Sequence, residues 1–126
     1  MSAAIRVLVV DDNDLQRDLV ADLLAGEGYD VATAADGVEG LAAARASPPD
    51  VLVLDLVLPR LDGASLLAEV RKDPRLAAAR VIVTTGVQSP HVKRLLAPDA
   101  TLFKPFGARE LLGAVGALVP PRAAER

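Results

Sequence analysis

Five short apolar runs alternate with stretches of helical spacing, and this alternation constrains the fold more tightly than anything else in the chain. Residues 5–10, 29–33, 51–54 and 81–85 are rich in branched aliphatic side chains, with a weaker fifth run at 101–103. Runs of this length and type form strands. Between them, apolar residues recur at intervals of three and four: Leu15, Leu19 and Leu23 with Val20 and Leu24; Val38, Leu41 and Ala42, continued by Arg45; Leu66, Leu67 and Val70; and Leu111, Leu112, Val115 and Leu118. Each set is expected to turn an apolar stripe toward a sheet and a polar face toward water. The punctuation agrees: Gly26 and Gly28 close the first helix, Ser47-Pro48-Pro49 precedes the third strand, and Asp73-Pro74 ends the third helix. A further short helix is expected at 92–96, between Pro90 and Pro98. Strand and helix alternating through one domain imply an α/β fold, a parallel sheet with helices on both faces. The nearly continuous runs at 5–10 and 51–54 belong at its buried centre.

At 126 residues the chain is long enough for one real core and too short for two. Aromatic residues are only 2% of it, so that core is aliphatic. With no cysteine there is neither a disulfide nor a thiolate metal site, and a reducing compartment, the cytoplasm, is expected. The net charge is −3 and the basic residues are dispersed, so no Lys/Arg stripe offers itself to a phosphate backbone and direct nucleic-acid binding is not expected. No apolar run is long enough to span a bilayer, and the first residues lack the apolar stretch of an export signal. The domain is expected to fill residues 1–119, with 120–126 a disordered tail or the remnant of a linker.

The polar residues that end these runs carry the chemistry. Asp11 and Asp12 follow the first strand, Asp55 ends the third, Thr84 and Thr85 end the fourth, and Lys104 follows the fifth. In open parallel sheets ligands collect outside the carboxyl ends of the strands, so these groups converge on one edge. Clustered carboxylates with oxygen-only donors suit a hard divalent cation, Mg2+ or Mn2+, which keeps positions for phosphate oxygens. An aspartate beside such an ion can attack a phosphoryl group and form an acyl phosphate. A lysine ammonium and a hydroxyl then share the charge of the transferred group.

Asp11-Asp12, the stretch Asp55-Leu56-Val57-Leu58-Pro59-Arg60-Leu61-Asp62-Gly63, the Thr85-Gly86 pair and Lys104-Pro105-Phe106 together resemble the receiver domain of response regulators in two-component signalling. The resemblance covers about residues 5 to 118. It implies a single doubly wound (βα)5 domain, flavodoxin-like, with strand order 2-1-3-4-5. It also implies that Asp55 accepts a phosphoryl group from a sensor histidine kinase or a histidine phosphotransfer protein, the effect being passed to a downstream protein partner that the residues do not identify. Asp11, Asp12 and Asp55 would ligate Mg2+ together with the backbone carbonyl of Val57. Thr85 and Lys104 would be drawn to the phosphate, and Pro105 is similar to the family's proline after lysine, often in a cis peptide. Such a protein modifies its own aspartate and is not a turnover enzyme. Slow self-dephosphorylation is expected, because Val57 and Val87 beside the site cannot orient an attacking water.

Two features depart from the family pattern. Thr101 stands where an aromatic residue usually precedes the lysine by three positions, and the interval from Thr85 to Lys104 is short. Competing readings fit the letters less well. Asp11-Asp12-Asn13-Asp14 read alone is a solvated turn and helix cap; as an EF-hand loop it fails, since Leu15 and Gln16 occupy positions needing an oxygen donor and a glycine. Two adjacent acids after the first strand repel the phosphate of a nucleotide or flavin. A phosphatase of the haloacid-dehalogenase type needs a second acid where Val57 stands, and a corrinoid site needs a histidine after a strand, whereas His91 reads as a surface residue. Asp62-Gly63 reads as a turn and cap serving shape. The rival reading is a receiver-like interaction module that acts without phosphorylation; it predicts loss of an acid, the hydroxyl or the lysine, and all are present.

Overall fold

Residues Val51–Asp55 are buried along their whole length, which requires strands on both sides and cover on both faces. The computed structural model, which describes residues 4–56, 62–86 and 97–118, supplies both. Its elements in chain order are β1 (Arg6–Val10), α1 (Asp14–Gly26), β2 (Asp30–Ala34), α2 (Gly37–Ala46), β3 (Val51–Asp55), α3 (Gly63–Lys72), β4 (Arg80–Thr85), β5 (Ala100–Phe103) and α4 (Ala108–Leu118). The strands form one parallel sheet in the order β2-β1-β3-β4-β5, the doubly wound order expected. The helix expected at 92–96 and the tail at 120–126 lie outside the described residues.

Alternation along the strands divides the core in two. Leu8, Val10, Leu52, Leu54, Val81 and Val83 pack against Ala44 of α2 and Leu66, Leu67 and Val70 of α3. Val7, Val9, Val51, Val53, Ile82 and Leu102 pack on the other face against Val20 and Leu24 of α1 and Leu111 and Val115 of α4. Full burial of each such side chain contributes about 1.5–3 kcal/mol, and Leu24→Ala or Leu111→Ala removes about 2–5 kcal/mol.

Two helical stripes differ from expectation. Leu15 is 79% exposed and Leu19 54%, and the sheet takes the row Val20, Leu23 and Leu24 instead. On α1 both rows have helical spacing; only the one opposite the apolar sheet face finds partners. Likewise α2 buries Gly37, Gly40 and Ala44 and leaves Val38 exposed. Its approach is close, since a Cβ on Gly40 would lie 3.0 Å from a Val10 methyl. Among the described residues no helix is long and apolar enough to cross a membrane.

Candidate functional site

Register brings the polar strand ends together. Val10 pairs with Leu54, so Asp11 continues beside Asp55; Asp55 itself pairs with Thr84, and Thr85 with Phe103. The Lys104 N–H donates to the Thr85 carbonyl at 2.8 Å, which extends the β4–β5 ladder one step and sets the lysine at the same edge. The Lys104–Pro105 peptide is cis. Lys104 Nζ lies 3.1 Å from Asp55 Oδ2 and 3.7 Å from Asp11 Oδ2. Asp11 and Asp55 are 4% and 5% exposed, whereas Asp12 is open to solvent.

One carboxylate oxygen from each of Asp11, Asp12 and Asp55 lies within 4.8 Å of the others. Bringing like charges this close in a partly dry site is unfavourable. Burial, and then the neighbouring Asp55 carboxylate, push the Asp11 carboxyl above the usual aspartate range, against the opposing pull of the Asn13 N–H and the Lys104 ammonium. A hard cation relieves this crowding, and the all-oxygen donor set fits Mg2+ or Mn2+.

The loop that carries the two N-terminal acids is held by its own residues. Asp11 N–H donates to the Ala34 carbonyl at 3.1 Å, and Asp11 Oδ1 accepts the Asn13 N–H at 2.9 Å. Asn13, not an aspartate, caps α1 by accepting the Gln16 N–H at 2.8 Å. Arg17 reaches back to donate to the Asp11 carbonyl at 2.9 Å and to Asp14 Oδ1 at 2.7 Å. On the other side of Asp55, Asp62 caps α3 by accepting the Ser65 N–H at 2.8 Å. A Cβ on Gly63 would stand 2.6 Å from the Asp55 carbonyl oxygen and 2.7 Å from Leu56 Cα, so only glycine lets α3 start this close to the strand end.

A family model described as the response regulator receiver domain matches residues 7–116 of this sequence. The chain belongs to that family. Receiver domains are signalling proteins of two-component phosphorelays, and their partners in general are histidine kinases or phosphotransfer proteins. The receiver is 38% identical over 117 residues to the DNA-binding dual master transcriptional regulator RpaA of a Synechocystis species, an alignment covering 90% of this chain and 48% of RpaA. It thus spans about half the length of that relative. Among solved structures, the chemotaxis protein CheY4 of Vibrio cholerae superposes with a TM-score of 0.87 at 31% identity, covering 93% of this chain and 100% of that one. The receiver domain of sensor histidine kinase PA1611 of Pseudomonas aeruginosa PAO1 gives a TM-score of 0.84 at 26% identity, covering 92% of this chain and 98% of that one.

Of the residues singled out in the sequence of this receiver, Asp11, Asp12, Asp55 and Lys104 meet at one edge, Thr85 ends β4 there, and Gly63 packs against the backbone behind Asp55. Thr101 lies within β5, paired with Val83 and two residues before Phe103. Val57, Val87 and His91 lie outside the described residues. Arg17 was not legible as part of the site. Its one sequence signal is the three-residue spacing from Asp14, which suggests only a surface ion pair.

Proposed function

We propose that Asp55 accepts a phosphoryl group from a phosphohistidine on a histidine kinase or phosphotransfer protein. The observation that carries this reading is a nearly buried aspartate at a strand end, 3.1 Å from the Lys104 ammonium and grouped with two further acids. An oxygen of Asp55 attacks phosphorus, the bond from phosphorus to the donor imidazole breaks, and an acyl phosphate remains on Asp55. Lys104 exchanges its pairing with the carboxylate for one with the phosphoryl oxygens. Asp11, Asp12 and Asp55, with the backbone carbonyl of Val57, would hold Mg2+ or Mn2+, whose charge when bound offsets that of the acids and the incoming phosphate. The receiver domain of PA1611, whose structure has a magnesium ion coordinated in the active site cleft, supports a magnesium ion in the corresponding cleft here.

Thr85, at the end of β4, turns its hydroxyl toward the phosphate and so biases the neighbouring partner-binding surface. Thr101 at the customary aromatic position makes that readout atypical. The chain works in the cytoplasm as a phosphoacceptor switch and not as a turnover enzyme. Self-dephosphorylation is slow because Val57 and Val87 offer an attacking water no hydrogen bond; equal decay of phosphorylated wild type and Val57→Asn would count against this. The main test is intact-mass measurement after incubation with acetyl phosphate and Mg2+. Wild type gains one phosphoryl group and Asp55→Asn gains none. The same gain in the variant rules Asp55 out as the acceptor, and no gain in wild type rules the mechanism out and leaves a phosphorylation-independent interaction module.

A further inference from the structure

Arg17 lies on the first turns of α1, where the positive end of the helix dipole disfavours a cation. Yet its side chain is only 16% exposed. One arm of its guanidinium donates to the Asp11 carbonyl at 2.9 Å and another to Asp14 Oδ1 at 2.7 Å. The peptide joining Asp11 to Asp12 is planar, so gripping the Asp11 oxygen fixes the plane that also contains the Asp12 nitrogen. On the far side of Asp12, the Asn13 N–H is held by Asp11 Oδ1 at 2.9 Å. Asp12 is thus suspended between two anchored peptides. Its own carboxylate makes no hydrogen bond or ion pair among the described residues, and its direction comes from the backbone alone.

We propose that Arg17 is a positioning residue of the divalent-cation site, setting through the Asp11–Asp12 peptide the direction in which the Asp12 carboxylate meets the ion. The inference rests on the reading of Asp11, Asp12 and Asp55 as cation ligands. Asp14 has a matching part: it neutralises a guanidinium that would otherwise repel a dication nearby, so the contribution of Arg17 is geometric. A lysine cannot replace it, because the ammonium lacks the planar fork that reaches the carbonyl and the carboxylate together.

The two possible influences of Arg17 have opposite signs, which makes the proposal easy to test. If Arg17 acted on the ion only through space, Arg17→Met would remove a repelling charge and tighten Mg2+ binding. As a positioning residue, its loss weakens binding by about 10-fold, the usual size for removal of a group that orients a metal ligand. Affinity is read by titration calorimetry with Mg2+ on protein shown to be folded by circular dichroism. A merely structural role lowers the melting temperature and leaves the affinity of folded protein unchanged. Arg17→Lys, which keeps the charge and the stem, is expected to bind Mg2+ several-fold more weakly than wild type; it decides the matter if Arg17→Met does not fold. Wild-type affinity, or tighter binding, in the folded variants overturns the role of Arg17. Absence of Mg2+ binding in wild type overturns the cation-site reading itself.

Discussion

The two edges of the sheet treat their aspartates in opposite ways. At the amino-terminal edge three carboxylates are matched to donors: Asp50 Oδ2 accepts the Arg6 N–H at 2.9 Å, Asp99 Oδ2 accepts the Val81 N–H at 2.7 Å with Arg80 Nη1 3.5 Å from its other oxygen, and Asp73 sits 3.1 Å from Arg75 and 3.5 Å from Arg45. At the carboxyl-terminal edge Asp11 and Asp55 face the same ammonium, with Asp12 beside them. Acids at the first edge close strands and turns and stabilise the fold. Those at the second are crowded against one another, an arrangement that makes sense when a cation and a phosphoryl group complete it.

The largest effect is expected where the carboxyl-terminal edge depends on close approach. Gly63→Ala places a methyl 2.6 Å from the Asp55 carbonyl oxygen and 2.7 Å from two atoms of Leu56. All of these are backbone atoms, which cannot rotate away as a side chain end could. A loss of about 2–4 kcal/mol is expected in urea unfolding, in the upper range for overpacking. A loss below about 0.5 kcal/mol, the level of an ordinary surface change, would show that α3 can shift away from the Asp55 strand end at little cost.

Next in size is a test of the amino-terminal edge. Val81 is 1% exposed, and Asp99 takes its N–H from the side where β4 begins. Asp99→Ala leaves that donor unpaired and should cost about 1–3 kcal/mol. Asp11→Asn is the counterpart at the other edge and carries the opposite sign. The amide keeps an oxygen for the Asn13 N–H and removes a charge that burial and Asp55 disfavour more than Lys104 favours it, so without Mg2+ the variant should be more stable than wild type. Adding Mg2+ should raise the melting temperature of wild type and move that of the variant much less. Destabilisation by both substitutions would erase the contrast between the edges.

How much of this was legible in the letters follows from the same contrast. The strand runs stood out because burial on both faces demands continuous apolar sequence, and Asp11, Asp55 and Lys104 stood out because each interrupts such a run at its carboxyl end. Rows on helices were less secure. Leu15 and Leu19 have the spacing of a core stripe, but Val20 and Leu24 share that spacing, and only the position of the sheet decides which row is covered. Arg17 was hidden for a different reason: its principal acceptor is a backbone carbonyl, which every residue possesses and no residue type announces. The strand-start roles of Asp50 and Asp99 were hidden likewise, since both acceptors serve backbone N–H groups of strands distant in sequence.

The smallest effect concerns pH. Hydrogen bonds from the Arg75 side chain, and then from its backbone N–H, hold the Asp73 carboxyl well below the usual aspartate range, at about 2. A carboxyl whose value is lower in the folded than in the unfolded chain adds stability above its unfolded value, here 3.8, and that contribution disappears as pH falls through about 2. Asp73→Asn should therefore be less stable than wild type at neutral pH, by a small margin because the Arg75 side chain faces solvent and salt screens the pair. The margin should narrow steadily as pH drops below about 5, with most of the loss complete only near the folded value. The measurement is the difference in urea midpoint between the two proteins across that range, repeated at high salt to shrink it further. A difference that stays constant with pH would mean that Asp73 acts through the neutral hydrogen-bonding geometry of the turn after α3, and that the pairing of charges at this edge is incidental.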